Sequence, residues 1–473
     1  MTINNKNRLL LLLGALLFTG LYQWVYISWL SPTFGYMGFS YEKPGAGYIA
    51  LAWVLCVVPS LWMPIALRRP SQICLWILYL AVFVPSMFIP LYTAYQPLDR
   101  VVSLMITLFF GFMLTCVGSY LPIFEMRAPR ISLTILLVGI GAVTMLLVGW
   151  VAVVFHGHFR FVSFGNVYED IRFSGAEVAS GTGVGYAVML LSGALHPFFM
   201  AWGLTRKRPL LFALGALGQL LLYCTAGLKI ILLSTVLIPL LYLAMAGSRT
   251  ETFGLRFTFG AVILFAVLNF INQIVGELSP SHLMLSALVF LRTFGMTGLT
   301  TAQYHDFFSD HPLTYFSHVH GIDLLVEYPY SSPIGKEVGY FYSANINYNA
   351  NAHFWCTDGL AGLGLFGVIL ISVLCALVFW LLDSASSKHT AVSSALMVTF
   401  AAFNLSNVSL FTTLLSGGLG TLILVLYLAP GEEKEGDSVS DEESSRAEPG
   451  EEVLPEASPG TSLSEVASTS VPS

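Results

Sequence analysis

The stretch YHDFFSDHPLTYFSHVHG, residues 304–321, sets four histidines and two aspartates among five aromatic rings. An imidazole that titrates near neutrality can serve as a general base or as a hydrogen-bond donor in an open site. Metal ligation would want a compact set, such as HExxH or two histidines three or four apart on a helix. Here His318 and His320 are two apart and His311 precedes Pro312, so the spacing argues for proton chemistry, and neither metal ligands nor a cofactor are expected. The candidates for base or acceptor positioning are Asp306, His311, His318, His320, His353 and Asp358, and the sequence does not rank them.

Three cations complete the set. Arg292 in FLRTFGMTG follows a short apolar run, and a permanently charged bidentate fork at that depth suits a phosphate or diphosphate. Lipid head-group binding is the plainer alternative. Arg172 in YEDIRFSG has Glu169 as a competing partner. Lys229 in YCTAGLKI sits at a helix end, where snorkelling competes with function. Tyr304 and Tyr315 offer ring faces, and Asn351 in SANINYNANAHFWCTDG offers an amide that both donates and accepts. Aromatics, amides and fixed cations together describe a polyhydroxylated ligand carried on a phosphate. Nothing points to nucleic acid.

The elements that must hold these residues are membrane spans. The chain has 473 residues, 56% hydrophobic and 10% charged, against roughly 25% charged in soluble domains. This predicts an all-α polytopic integral membrane protein. Apolar runs near 20 residues predict about 12 transmembrane helices, at 9–30, 47–67, 72–92, 101–123, 132–155, 184–204, 209–226, 229–247, 256–275, 359–382, 390–408 and 410–429. The first is read as a retained helix, because its apolar run continues through Tyr22, Trp24 and Tyr26 with no small-residue cleavage pattern before it. With the N-terminus inside, fourteen Lys and Arg fall on the cytoplasmic side and seven outside, which predicts both termini in the cytoplasm.

Two outer segments follow from this layout, a smaller one at 156–183 and a large one at 276–358. Eight of the ten histidines lie in them, counting His156 at a boundary. The run LMLSALVFL, 283–291, is too short to span and reads as an interfacial or re-entrant helix. The transmembrane domain thus covers 1–429. From Pro430 on, twelve Asp and Glu meet two Lys and Arg with no aromatic ring, so 430–473 reads as an acidic, disordered tail. The six cysteines are scattered without metal or redox spacing.

The runs FGMTGLTTAQYHDFFSDHPLTYFSHVHG and NANAHFWCTDGLAGLGLFGV, with the helix pair LLYCTAGLKIILLS, resemble bacterial O-antigen and capsule repeat-unit polymerases of the Wzy type. The resemblance covers roughly 165–380, and Ile230 stands where that group's helix pair carries a serine. It implies a GT-C-like, metal-independent glycosyltransferase in the bacterial inner membrane. Its substrate would be an undecaprenyl diphosphate-linked oligosaccharide, and its partners a chain-length regulator and a flippase. Arg292, Arg172 and Lys229, in that order, would meet the diphosphate. An O-antigen ligase shares these features, and a lipid-linked oligosaccharide flippase or other transporter is the rival from another class.

Overall fold

In a computed structural model, residues 3–127, 129, 131–161, 182–227, 229–275, 284–319, 321–346 and 348–431 are described. All regular structure among them is helical. The helices are α1 Asn5–Met37, α2 Ala46–Leu61, α3 Ser71–Thr93, α4 Leu98–Gly118, α5 Leu133–Val154, α6 Val184–Thr205 and α7 Pro209–Ala226. Then follow α8 Lys229–Met245, α9 Arg249–Ile274, α10 Met284–Asp310, α11 Ile334–Ser343, α12 Trp355–Ala385, α13 Ala391–Asn404, α14 Leu410–Leu414 and α15 Leu419–Leu428. Among the described residues nine helices are long and apolar enough to cross a membrane: α1, α3 to α7, α9, α10 and α12. Helices α2, α8, α13 and α15 are apolar but shorter.

Eight of the nine long helices fall on spans predicted from sequence, and the four shorter ones fall on the other four. The ninth, α10, is new. Within the large outer segment placed at 276–358, the first described part is a 27-residue helix, longer than the short apolar run 283–291 suggests. The sequence disguises it, because Thr297, Thr300, Thr301 and Gln303 dilute its hydropathy, and these polar side chains are buried against other helices rather than exposed to lipid.

Helix α3 has no polar face and occupies the centre, buried along its whole length. Pro85 and Pro90 remove backbone donors within it. The carbonyl of Ala81, four residues before Pro85, is taken by the Thr297 hydroxyl of α10 at 2.6 Å. Ser86 and Thr301 share a hydrogen bond of 2.8 Å, and Gln96 reaches Asp306 at 2.6 Å. Helix α10 thus runs parallel to α3 and satisfies polar groups that the prolines leave open.

Helix α12 is a hairpin. The backbone leaves the helical region at Leu363 and Gly364, the latter at φ 62°. Trp355 Nε1 then donates to Ser372 Oγ at 2.9 Å, although 17 residues of straight helix would separate them by about 25 Å. The arms touch through glycines, since a β-carbon on Gly367 would overlap the Gly359 carbonyl. The short arm, 355–362, carries its N-terminal residues into the bundle. Of the two arms, only the long one, 365–385, has the length to cross a bilayer. The predicted span 359–382 therefore merges the two arms.

Opposite ends of the bundle differ in chemistry. One end holds Arg8 on the carbonyls of Ser60 and Met63, Arg68 paired with Glu251 at 3.5 Å, and Arg69 on the carbonyls of Ser119 and Leu121. This is the basic end. The other collects Tyr92, Tyr95, Gln96 and the histidine-bearing segment after α10.

Candidate functional site

Two residues after the Pro312 that follows α10, Thr314 donates its N–H to Ala361 O at 2.8 Å, and Tyr315 donates to Gly362 O at 3.1 Å. These bonds dock the segment on the elbow of the α12 hairpin. Tyr315 and Phe316 take φ of 49° and 64°, a left-handed conformation uncommon for aromatic residues and held here by the docking. The turn swings His318 inward. Its Nε2 lies 3.0 Å from Asp358 Oδ1, with the imidazole 13% exposed and the carboxylate fully buried. Asp358 Oδ2 accepts the backbone N–H of Leu410 at 2.6 Å, at the first residue of α14. Both carboxylate oxygens are therefore engaged, and the ring that one of them holds keeps an edge in solvent.

The other ring nitrogen has a partner that suits either protonation state. His318 Nδ1 lies 3.2 Å from Thr314 Oγ1, which is also 3.0 Å from Ala361 O. With a neutral ring protonated at Nε2, the threonine hydroxyl donates to Nδ1. Once the ring gains a proton, Nδ1 donates and the threonine hydrogen turns to the Ala361 carbonyl. Neither state leaves an orphaned group, which is what a side chain that takes and returns a proton requires.

A second polar array lies near the end of α10. Asp306 accepts from Gln96 Nε2 at 2.6 Å and from the Tyr342 hydroxyl, and Gln96 Oε1 accepts from Arg100 at 3.1 Å. Burial and the Asp306 charge push the Tyr342 hydroxyl well above the usual phenol range, so it stays a donor. Arg100, His305, Ser103, Ser309 and Gly364 line a cavity of about 360 Å³ between α4, α10 and the hairpin elbow. The elbow that walls this cavity carries Asp358 two residues before Leu360, another of its lining residues. Arg100 and His305 are site residues that the sequence reading did not single out. The pointer available was PLDRVVS, a cation within the first turn of a span at the histidine-rich end.

A third group is buried. His353 Nε2 bonds Thr301 Oγ1 at 2.8 Å and lies 3.3 Å from Cys356 Sγ, with Ser86 beyond Thr301. Burial pushes the imidazole down to about 3, so it stays neutral. Fully enclosed, it joins α3, α10 and the hairpin rather than meeting a substrate. Tyr304 is likewise enclosed and donates to Ala350 O at 3.1 Å, which corrects its reading as a substrate-facing ring. His311 ends α10, with Nδ1 donating to Phe307 O at 2.8 Å and its ring stacked 3.9 Å above Phe307.

Arg292 lies exposed on the π-helical stretch Ala287–Gly295. Tyr348 nearby has a pKa raised by burial, with the Arg292 charge pulling it back. Tyr315 is half-exposed, and Asn351 is exposed beside Gly335. Lys229 opens α8, but its side chain lies outside the described residues, as do Arg172, His320, most of the predicted loop 156–183 and the tail beyond Gly431. Among the described residues no three His, Cys, Asp or Glu gather as a metal site would require. Compared with family models, curated proteins and solved structures, the chain matches none.

Proposed function

We propose that the chain is a glycosyltransferase of the inner membrane that polymerises lipid diphosphate-linked oligosaccharides, with its centre at the His318–Asp358 pair. The observation that carries this reading is the pairing itself: a partly exposed imidazole held by a buried, fully engaged carboxylate. In the reaction, the proton of an acceptor hydroxyl goes to His318 Nδ1, the nitrogen not bonded to Asp358, as the Thr314 hydrogen turns to Ala361 O, while the acceptor oxygen bonds the donor's anomeric carbon. The bond from that carbon to the diphosphate breaks, and its electron pair goes to the phosphate oxygen. Charge grows on the diphosphate, where Arg100 at the cavity and Arg292 at the interface stabilise it. Asp358 keeps the ring oriented and steadies its charged form. The exposed Asn351 and Tyr315 then hold sugar at the rim. In this reading the histidine end faces away from the cytoplasm, where lipid-linked repeats are polymerised.

One observation favours a second reading. Irregular backbone inside a bundle, as at Leu363–Gly364 and at residues 405–409, also suits a transporter, whose discontinuous helices line its substrate site. Surface glycan from a host lacking the gene separates the possibilities. A single repeat unit attached to the surface supports the polymerase, no attachment supports a ligase, and lipid-linked repeats held inside the cell support the transporter.

A further inference from the structure

Helices α8 and α9 are joined by the short 3-10 turn Gly247–Thr252, yet they splay apart instead of packing along their length. Between them lies a groove of about 430 Å³, in the half of the bundle nearer the basic end. Ile77 of α3 and Phe400 of α13 form its floor, Leu237 and Phe257 its sides, and Phe294 of α10 its roof. Leu240 and Leu264 also line it and are 54% and 44% exposed, so the groove opens sideways, towards lipid in a membrane. Water is a poor occupant, because apolar cavities as small as ~150 Å³ already stay dry and take up hydrocarbon.

The one cation in the lining stands at the end. Arg256 is exposed, and its Nε donates to Thr252 Oγ1 at 3.0 Å, which tethers the guanidinium at this end of the groove. Arg249, which donates to Leu243 O, and Arg68, paired with Glu251, stand at the same end of the bundle. A long apolar slot ending in a basic rim matches an amphiphile with a negative head.

We infer that this groove is a binding site for one acyl chain of an anionic phospholipid from the leaflet at the basic end, with the head group on Arg256. The site is separate from the proposed transfer centre and does not depend on it. It also accounts for the splay, since an occupying chain replaces the packing that the two helices would otherwise make with each other.

The test uses the full-length chain reconstituted in vesicles of equal phosphatidylglycerol and phosphatidylcholine. It is then re-extracted in detergent, washed, and its retained lipid identified by mass spectrometry. Wild type is expected to retain phosphatidylglycerol severalfold over phosphatidylcholine. Gly260→Leu projects a side chain into the groove where a β-carbon meets nothing within 4 Å, so it fills the slot without a backbone clash and should lose the retained lipid. Arg256→Gln should keep lipid but lose the preference for phosphatidylglycerol. Both variants should elute as wild type on gel filtration. Equal retention in all three proteins would mean annular lipid only, and retention without head-group preference in wild type would remove the role of Arg256. Either outcome overturns the inference.

Discussion

Helix α12 carries two buried aspartates, one on each arm of its hairpin, and both cap the start of another helix. Asp383, near the end of the long arm, accepts the N–H of Ser71 at 3.0 Å and its hydroxyl at 2.7 Å, with Arg69 at 3.9 Å. Asp358, on the short arm, accepts the N–H of Leu410 and shares its other oxygen with His318. The capping is the same, and the second partner differs. Asp383 faces a hydroxyl and a cation that never changes charge. Asp358 faces an imidazole with a solvent edge and a hydroxyl that can reverse its hydrogen bond. One aspartate is locked into structure; the other is coupled to a group that can move a proton.

The sharpest way to break this contrast is to remove each carboxylate in turn. Asp358→Asn retains an acceptor for Leu410 but cannot steady a charged His318. Transfer activity in purified membranes should fall by roughly 10²–10⁴-fold, with normal yield of folded protein. His318→Gln should fall in the same range. Asp383→Ala instead leaves the Ser71 N–H and hydroxyl without their acceptor and should cost about 1–3 kcal/mol of stability, read as a lowered unfolding midpoint in detergent. Activity per folded molecule should stay near wild type. If Asp383→Ala lost activity per folded molecule as deeply as Asp358→Asn, the distinction between the two would collapse.

Why only part of this was legible in sequence follows from where the signals sit. Spans such as Leu133–Val154 announce themselves by composition, because lipid demands an unbroken apolar run. Helix α10 does not, since its threonines and glutamine are matched by α3 and a hydropathy reading cannot see a partner. The hairpin in α12 is equally hidden: a single φ of 62° at Gly364 divides a run that is apolar throughout. With that extra helix and that hairpin, nine helices among the described residues are long and apolar enough to cross a membrane, beside four shorter apolar ones. At the site, the chemistry-bearing stretch was readable as a stretch. What was not readable was the sorting within it, because His318, His311 and His353 differ only in what folds against them. Arg100 was overlooked because its partners, Gln96 and Asp306, lie 210 residues apart.

Arg100 and Arg292 allow the next comparison. Arg100 is tethered through Gln96 to Asp306 and lines the cavity, whereas Arg292 stands exposed at a wide helical turn. Arg100→Gln should reduce transfer roughly 10²–10³-fold, as loss of one preorganised donor next to a developing anion does. Arg292→Ala should act more on the apparent affinity for lipid-linked donor than on maximal rate. A larger rate loss for Arg292 than for Arg100 would move the diphosphate out of the cavity and onto the interface.

His353 sharpens the comparison differently, through stability alone. Its ordinary value of 6.5 falls to about 3 in the fold because burial disfavours the charged ring. The unfolded chain therefore binds a proton at pH values where the folded chain does not. The stabilisation is fully present above 6.5 and is lost progressively as pH falls from there towards 3. At pH 5 the loss from this one group comes to about 2 kcal/mol. His353→Gln keeps a polar partner for Thr301 without a titrating ring, so its unfolding midpoint should change less between pH 7 and pH 5 than that of wild type. Parallel shifts in the two proteins would show that the ring is not held neutral.

The smallest expected effect tests the hydrogen bond that distinguishes Asp358's surroundings most finely. Thr314 is buried and cannot reach a substrate, so any part it plays in transfer runs through His318. Thr314→Val preserves shape and removes the hydroxyl, leaving Nδ1 without a donor when neutral and without an acceptor when charged. Losing one neutral hydrogen bond of about 1 kcal/mol corresponds to roughly a fivefold slower step. Thr314→Ser restores the hydroxyl and should restore the rate, although it loses the methyl group that packs in the turn. If packing alone mattered, serine would fare no better than valine. Recovery with serine at unchanged donor affinity would place the effect on the proton-bearing ring, and so on the arm of the hairpin that carries Asp358.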